Sequence, residues 1–398
     1  MITKEFVLKL FQAAYIQRWN DKLRPIDFIE LDKHAHKLII AYIIGRYQEE
    51  HPPLSWQKII EGSLFECLFK IVLTDIKSPV LYAIRQDTEK YALLKDYVIA
   101  EVSPMLSRVD QGLSERFALY LEREDDTPEK RILSAASIIA SSWEFDIIER
   151  ADPHGYEVAQ IKEGLKSRLA QYQDLRGVNT IKSDKNLGAF LNLCGQLRFQ
   201  ARWAHLHRIP KTSVLSHCFF VAITSYLYSL PINACPRRLY NNTFAGLFHD
   251  LPEVLTRDII APVKHSVEGL RDLILDYEKK QMEKIVYPLL PPVFHTDIRR
   301  FSGVDLKNTI RVKETFQDVS LDTMNQQYNK DAYDPCDGQI VKAADELSAY
   351  IEANEAIKNG CVSDRFIEAK TFISGRYREQ GIKGDIDFAS IYNQFTSL

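Results

Sequence analysis

The chain has 398 residues, 45% hydrophobic and 26% charged, a composition that supports sizeable buried cores and excludes disordered, collagen-like and low-complexity chains. Fifty-one lysines and arginines against 54 aspartates and glutamates leave a net charge of −3, which argues against binding nucleic acid through bulk electrostatics. No apolar run approaches the roughly 18–20 residues of a membrane span; the longest, Leu38 to Gly45, is closed by Arg46.

The opening MITKEFVLKLF lacks the apolar core and cleavage site of a secretory signal and reads as an amphipathic helix, so a cytoplasmic location is expected. Six scattered cysteines without a CxxC pair fit buried free thiols rather than a disulfide framework. Apolar residues then recur at three- and four-residue spacing through Phe6–Trp19, Leu38–Tyr47, Leu133–Ile148, Val214–Leu230 and Val341–Ile357. This spacing predicts a mostly helical protein, and no strand is assigned. A length near 400 residues predicts at least two domains, since single cores rarely grow past about 250–300 residues.

Comparing the chain with itself finds an internal repeat. Residues 64–80, LFECLFKIVLTDIKSPV, align without gaps on 247–263, LFHDLPEVLTRDIIAPV, with seven matches. Upstream, HKLIIAYIIGRY from His36 pairs with HCFFVAITSYLY from His217, and Arg18-Trp19 pairs with Arg202-Trp203. Downstream, ILSAASIIASSWE from Ile132 pairs with IVKAADELSAYIE from Ile340. Four matched segments in one order predict two helical domains of one ancestry, 1–178 and 179–398, joined through the polar stretch Lys182–Lys185. The second is longer by an insertion near 287–337, where Pro, Asp and Asn predict a surface excursion.

In the second half the matched segments carry His217, the pair His249-Asp250, and Asp345. A divalent cation needs imidazole and carboxylate donors converging from different elements, and these four come from three predicted helices. Glu253 follows His249 by four residues, the spacing that shares a helix face, with Pro252 predicting a kink or a new start. The aligned first-half residues are Glu66 for His249, Cys67 for Asp250, Lys70 for Glu253 and Ser137 for Asp345; of the ligand set only His36 is kept. A domain that keeps its packing residues and loses this polar set is expected to have lost its metal.

With RW at 202–203, SxxSH at 213–217, HDLPEVLTRDIIAPVK at 249–264 and KAADELSAY at 342–350, the second half resembles the HD-domain metal-dependent phosphohydrolases, and among them the bacterial 5′-deoxynucleotidases. The resemblance implies an all-α fold, here two tandem HD-like helical domains related by internal duplication, the first degenerate. It implies that His217, His249, Asp250 and Asp345 bind one divalent metal ion, with manganese, cobalt or another transition metal as cofactor. Glu253 would be the catalytic acid/base, Asp258 a catalytic residue near the leaving oxygen, Arg202 a phosphate contact, and Trp203 would shape the pocket. The sequence departs from the family at Ser216, where a carboxylate usually precedes the first His, and at Leu251-Pro252, where small residues are usual.

A metal held by two imidazoles and two carboxylates suits phosphoryl transfer, because it lowers the pKa of water and offsets charge on the phosphoryl group. Glu253 and Asp258 would move protons, while Arg202 with Lys264 or Arg208 would bind the dianion by charge-assisted hydrogen bonds. The expected activity is phosphate release from nucleotides, foremost (deoxy)nucleoside 5′-monophosphates. Two alternatives stand beside it: a nucleotide-binding sensor with little turnover, and a hydrolase of nucleoside triphosphates or alarmones using Lys279-Lys280, Arg299-Arg300 and Lys307. His265 or His295 would serve a second metal only if two were bound; His34 and His36 are expected to be structural. The expected partners are a small-molecule nucleotide and, as an option, a second copy of the chain.

Overall fold

The computed structural model describes residues 1–49, 54–123, 126–257, 259, 267–303, 306–383 and 385–395. The fold is all-α, as the apolar spacing predicts. In the first half, α1 (Lys4–Phe11) leads to α2 (Glu30–Gln48), α3 (Trp56–Leu73), α4 (Ser78–Gln86), α5 (Thr88–Val109), α6 (Gln111–Glu122), α7 (Pro128–Ala151) and α8 (Val158–Ala170). Short polar side chains start many of them: Thr3, Ser55, Asp87, Asp110 and Thr127 each accept a first-turn backbone N–H, and Pro128 adds a preset φ at the head of α7. The stretch around Lys182–Lys185 is not an open linker. Helices α9 (Arg176–Ser183) and α10 (Lys185–Gln196) meet there at a single residue, Asp184, whose carboxylate caps the second. Gly177 lets α9 press on α2, since a Cβ would lie 2.6 Å from the Ile44 Cα.

The second half contributes α11 (Val214–Ser229), α12 (Pro236–Phe248), α13 (Glu253–Thr256), α14 (Leu270–Gln281), α15 (His295–Phe301), α16 (Gly338–Lys358) and α17 (Asp364–Gln380). Every residue of α11 and most of α2 is buried, the mark of central helices surrounded on all sides. These two pack on each other, with His34 against Phe219, and α2 also meets α12 through Tyr42 against Phe244. The largest apolar core therefore takes residues from both halves, from Ile2 to Phe395. Among the described residues no helix is long and apolar enough to cross a membrane.

Residues 287–337 depart from the expected surface excursion. Phe294, Ile298 and Phe301 recur at helical spacing and are buried, and Phe301 stacks on Phe248, so the first part of the segment is core. The later part forms a small antiparallel sheet that the sequence reading did not assign: β1 (Asn308–Val312) lies between β2 (Thr315–Asp318) and β3 (Cys336–Asp337). There the segment stands out, β2 being exposed along its length.

One arrangement occurs twice. Arg18 Nε and Trp19 Nε1 donate to Glu144 Oε2 at 2.9 and 2.8 Å; Arg202 Nε and Trp203 Nε1 approach Glu352 Oε2 at 3.4 and 2.9 Å. Both tryptophans have a left-handed φ of 56°, and the aligned pair Thr74 and Arg257 is left-handed too, at 54° and 65°. Such backbone is uncommon for residues with a Cβ, so its recurrence at matched positions marks a shared local geometry.

Candidate metal centre

His217 sits in the first turn of α11, behind a capping box: the Ser213 hydroxyl accepts from the Ser216 N–H, and Ser216 Oγ accepts from the Ser213 N–H. Ser216, where the family usually carries a carboxylate, is thereby committed to the helix start. His217 Nδ1 lies 2.9 Å from Ser348 Oγ, which turns Nε2 toward Asp345 Oδ1 at 3.1 Å and Asp250 Oδ2 at 3.4 Å. Asp345 and Ser348 stand one turn apart on α16 and so reach the same ring.

His249 is the C-cap of α12, and its Nδ1–H donates to the Gly246 carbonyl at 2.9 Å. That bond fixes the tautomer and leaves Nε2 with its lone pair, 3.3 Å from Asp250 Oδ2. Gly246 makes this placement workable, because a Cβ there would meet the Ala222 backbone of α11 at 2.9 Å. His249 and Glu253 do not share one continuous helix, contrary to the i, i+4 reading. The chain turns through Asp250–Pro252, and α13 begins at Glu253, whose N–H donates to the Asp250 carbonyl. Pro252, which lacks an amide hydrogen, accounts for the break. Glu253 is nonetheless buried and close enough to Cys218 to raise its pKa.

The donor set fits a divalent cation. Ligand atoms of His217, His249 and Asp345 lie within 4.8 Å of one another, as do those of Cys218, His249 and Asp250. Both imidazole Nε2 atoms are buried without hydrogen-bond geometry to a partner among the described residues. The His249 Nε2 lone pair, and that of His217 when its Nδ1–H donates to Ser348, face carboxylate oxygens and are costly unless a cation lies between them. Burial works against the Asp345 charge, but the imidazoles of His217 and His249 and the Arg202 guanidinium hold its pKa well below the usual carboxylate range. Cys218, which the sequence reading missed, is kept a thiol by burial and by the charges of Asp250 and Glu253.

Arg202 Nη1 is 3.9 Å from Asp250 Oδ2, so this guanidinium borders the centre. Its anchor is Glu352, two turns beyond Asp345 on α16, which also takes the Trp203 indole N–H and the Thr212 hydroxyl. Burial opposes the Glu352 charge, yet Arg202 and then Arg208 hold its pKa down to about 2. Arg208 belongs to this buried group. The Trp203 ring packs on Phe366 at 5.2 Å, in a small cluster with Ala353 and Ala356. Asp258, Lys264 and His265 lie outside the described residues. His295 Nε2 meets the Tyr287 and Leu290 carbonyls. Arg299, Arg300 and Lys307 are paired with Glu283, Asp334 and Asp318. Ser348 falls within the KAADELSAY segment at 342–350 but was assigned no part there, while Glu352 and the Gly246 carbonyl carry no motif of their own; only their spacing from Asp345 and His249 could have pointed to them.

Residues 194–370 match the family model described as HD domain. The second half of the chain is thus similar to HD domains and, among the proteins that carry them, to the bacterial 5′-deoxynucleotidases. Two such relatives are the 5′-deoxynucleotidase YfbR of Escherichia coli O1:K1 / APEC and that of Escherichia coli O45:K1 (strain S88 / ExPEC). Each is 26% identical over 182 residues, covering 44% of this chain and 75% of the relative.

Proposed function

We propose that the second half hydrolyses (deoxy)nucleoside 5′-monophosphates, with His217, His249, Asp250 and Asp345 holding one divalent metal such as manganese or cobalt. The observation that carries this reading is the pair of buried Nε2 atoms, each oriented through its ring's Nδ1 toward Asp250 or Asp345. The relatives' 5′-deoxynucleotidase name supports the substrate class. When bound, the metal supplies an acidified water and charge relief for the phosphoryl group.

The chain's own residues complete the chemistry. Arg202, aimed by Glu352, binds the phosphate dianion beside Asp250 through its fork of N–H donors. Glu253, buried near Asp250, takes the proton from the attacking water, and Asp258 returns one to the departing 5′-oxygen. Trp203 holds Glu352 and thereby Arg202, and Lys264 adds a second positive contact to the phosphate. The first half mimics a second subunit: its central helix α2 packs on α11, so one chain carries an interface that two copies would otherwise form. The repeated Arg–Trp–Glu unit supports a common ancestry for the two halves.

The test is phosphate release from nucleoside mono-, di- and triphosphates by protein loaded with manganese or cobalt, beside His249→Ala and Glu253→Ala. Release from deoxymonophosphates that both substitutions abolish is the expected result. Metal bound with no turnover on any nucleotide would overturn hydrolysis in favour of a sensor, and preference for triphosphates would overturn the substrate class.

A further inference from the structure

The first half has no metal ligand set at the matched positions, but its polar residues there are not random. Lys33 and Lys37, one turn apart on α2, are buried. Lys33 Nζ donates to Ser137 Oγ at 2.7 Å and Lys37 Nζ to Glu66 Oε2 at 2.5 Å. Ser137 and Glu66 are the residues aligned with the candidate ligands Asp345 and His249, so two ammonium groups stand where the other half gathers donors for a cation. Lys70, aligned with Glu253, is half-buried and makes no hydrogen bond or ion pair among the described residues. Arg18, aligned with Arg202, binds Glu30 and Glu144 and points Nη2 at Ser141 Oγ, 3.3 Å away.

The sign of the site is therefore reversed. Around the candidate metal centre, Asp250, Glu253, Asp345 and Glu352 outnumber Arg202 and Arg208 by two negative charges. In the first half Arg18, Lys33, Lys37 and Lys70 face Glu30, Glu66 and Glu144, a surplus of one positive charge when Lys33 is protonated, while Arg198, which shares Glu144, is offset by the buried Asp32 beside it. A surplus of buried positive charge is as costly as a surplus of negative charge unless a counter-ion meets it. Lys70, Ser137 and Ser141 are half-buried where the other members of this group are buried more deeply, and the two hydroxyls, which accept from Lys33 and Arg18, can donate to a ligand.

We infer that the first half is a metal-free binding site for a phosphate dianion, free or as a monoester, held by Lys70, Lys33 and Arg18 with the Ser137 and Ser141 hydroxyls. Its negative charge meets the surplus, and the tetrahedral oxygens can accept from ammonium, guanidinium and hydroxyl donors at once. Burial and the neighbouring Lys37 charge lower the Lys33 pKa to about 7, so binding above that pH takes up a proton.

The experiment uses the full chain stripped of metal by a chelator, titrated with inorganic phosphate by calorimetry at pH 7 and at pH 8 in two buffers of different ionisation enthalpy. One phosphate per chain is expected, with proton uptake at pH 8. Lys70→Met should weaken it at least tenfold and Lys70→Glu abolish it, while Arg202→Met leaves it unchanged. Both Lys70 variants change a half-buried side chain and leave the core intact. Displacement of the phosphate by deoxyadenosine monophosphate assigns the site to the ester, and no displacement assigns it to the free anion. No binding to the stripped chain, or binding lost with Arg202→Met and kept in both Lys70 variants, would overturn the inference. Neither result bears on turnover by the metal-loaded second half.

Discussion

Ser348 Oγ lies 2.9 Å from His217 Nδ1, one helical turn beyond Asp345 on the same helix. A single turn of α16 thus supplies both a candidate ligand and the group that aims another. Ser348→Ala should leave the fold intact and weaken metal binding by about 10–100-fold, the usual cost of removing an orienting partner. Titration of the stripped protein with manganese or cobalt, followed by calorimetry, measures it; an unchanged affinity would deny Ser348 this part.

Arg202 offers a bidentate fork that a lysine cannot reproduce. Arg202→Lys is expected to raise KM for a nucleoside monophosphate at least tenfold with a smaller fall in kcat, since the lost contact is made to bound substrate as well as to the transition state. Steady-state kinetics at saturating metal separates the two parameters.

Acid should destabilise the protein through Glu144 and Glu352. Burial opposes both charges, but Arg18 and Arg198 hold the pKa of the first at about 2, and Arg202 and Arg208 do the same for the second. Between about pH 4.5 and 2 the unfolded carboxyls bind protons that the folded ones refuse. The stabilisation, roughly 3 kcal/mol for each, is therefore complete above pH 4.5 and is lost as pH falls through 2. Glu144→Gln should be less stable than the parent at pH 6 and show a flatter decline from pH 5 to 2, read by urea unfolding across that range.

Asp297 accepts from Arg46 of the first half and, at 2.9 Å, from the Tyr240 hydroxyl of the second. Asp297→Ala leaves Arg46 with Glu49 as its remaining carboxylate and the Tyr240 hydroxyl without its acceptor, and should cost about 1–3 kcal/mol. Because the main core is continuous across both halves, calorimetry should record one unfolding transition shifted downward, not two.

The helices, and the residues that gather at the candidate metal centre, could be read from the sequence because both are periodic or motif-bound: apolar spacing gave α11 and α16, and the long HD segment gave His249 and Asp250. The break after His249 was only half visible, since Pro252 signals a disruption but not that a separate short helix restarts at Glu253. Residues 287–301 misled because three prolines read as a loop while Phe294, Ile298 and Phe301 decide the packing. Glu352 and Ser348 lie on a helix whose register was legible, yet nothing local distinguishes a carboxylate that anchors a distant arginine from one that faces water. The small sheet escaped notice because its strands are short and one of them is exposed along its length.

The Ser213 hydroxyl that starts α11 also donates to Asp32 of α2. The helix that presents His217 is thus nucleated partly by a residue more than 180 positions upstream. Anyone cutting the chain at the repeat boundary to obtain a minimal catalyst would remove a splint from the catalytic helix along with its neighbour. In a protein built this way, the half released from chemistry is still answerable for it, and damage to Asp32 is expected to surface as a defect at a metal it never touches.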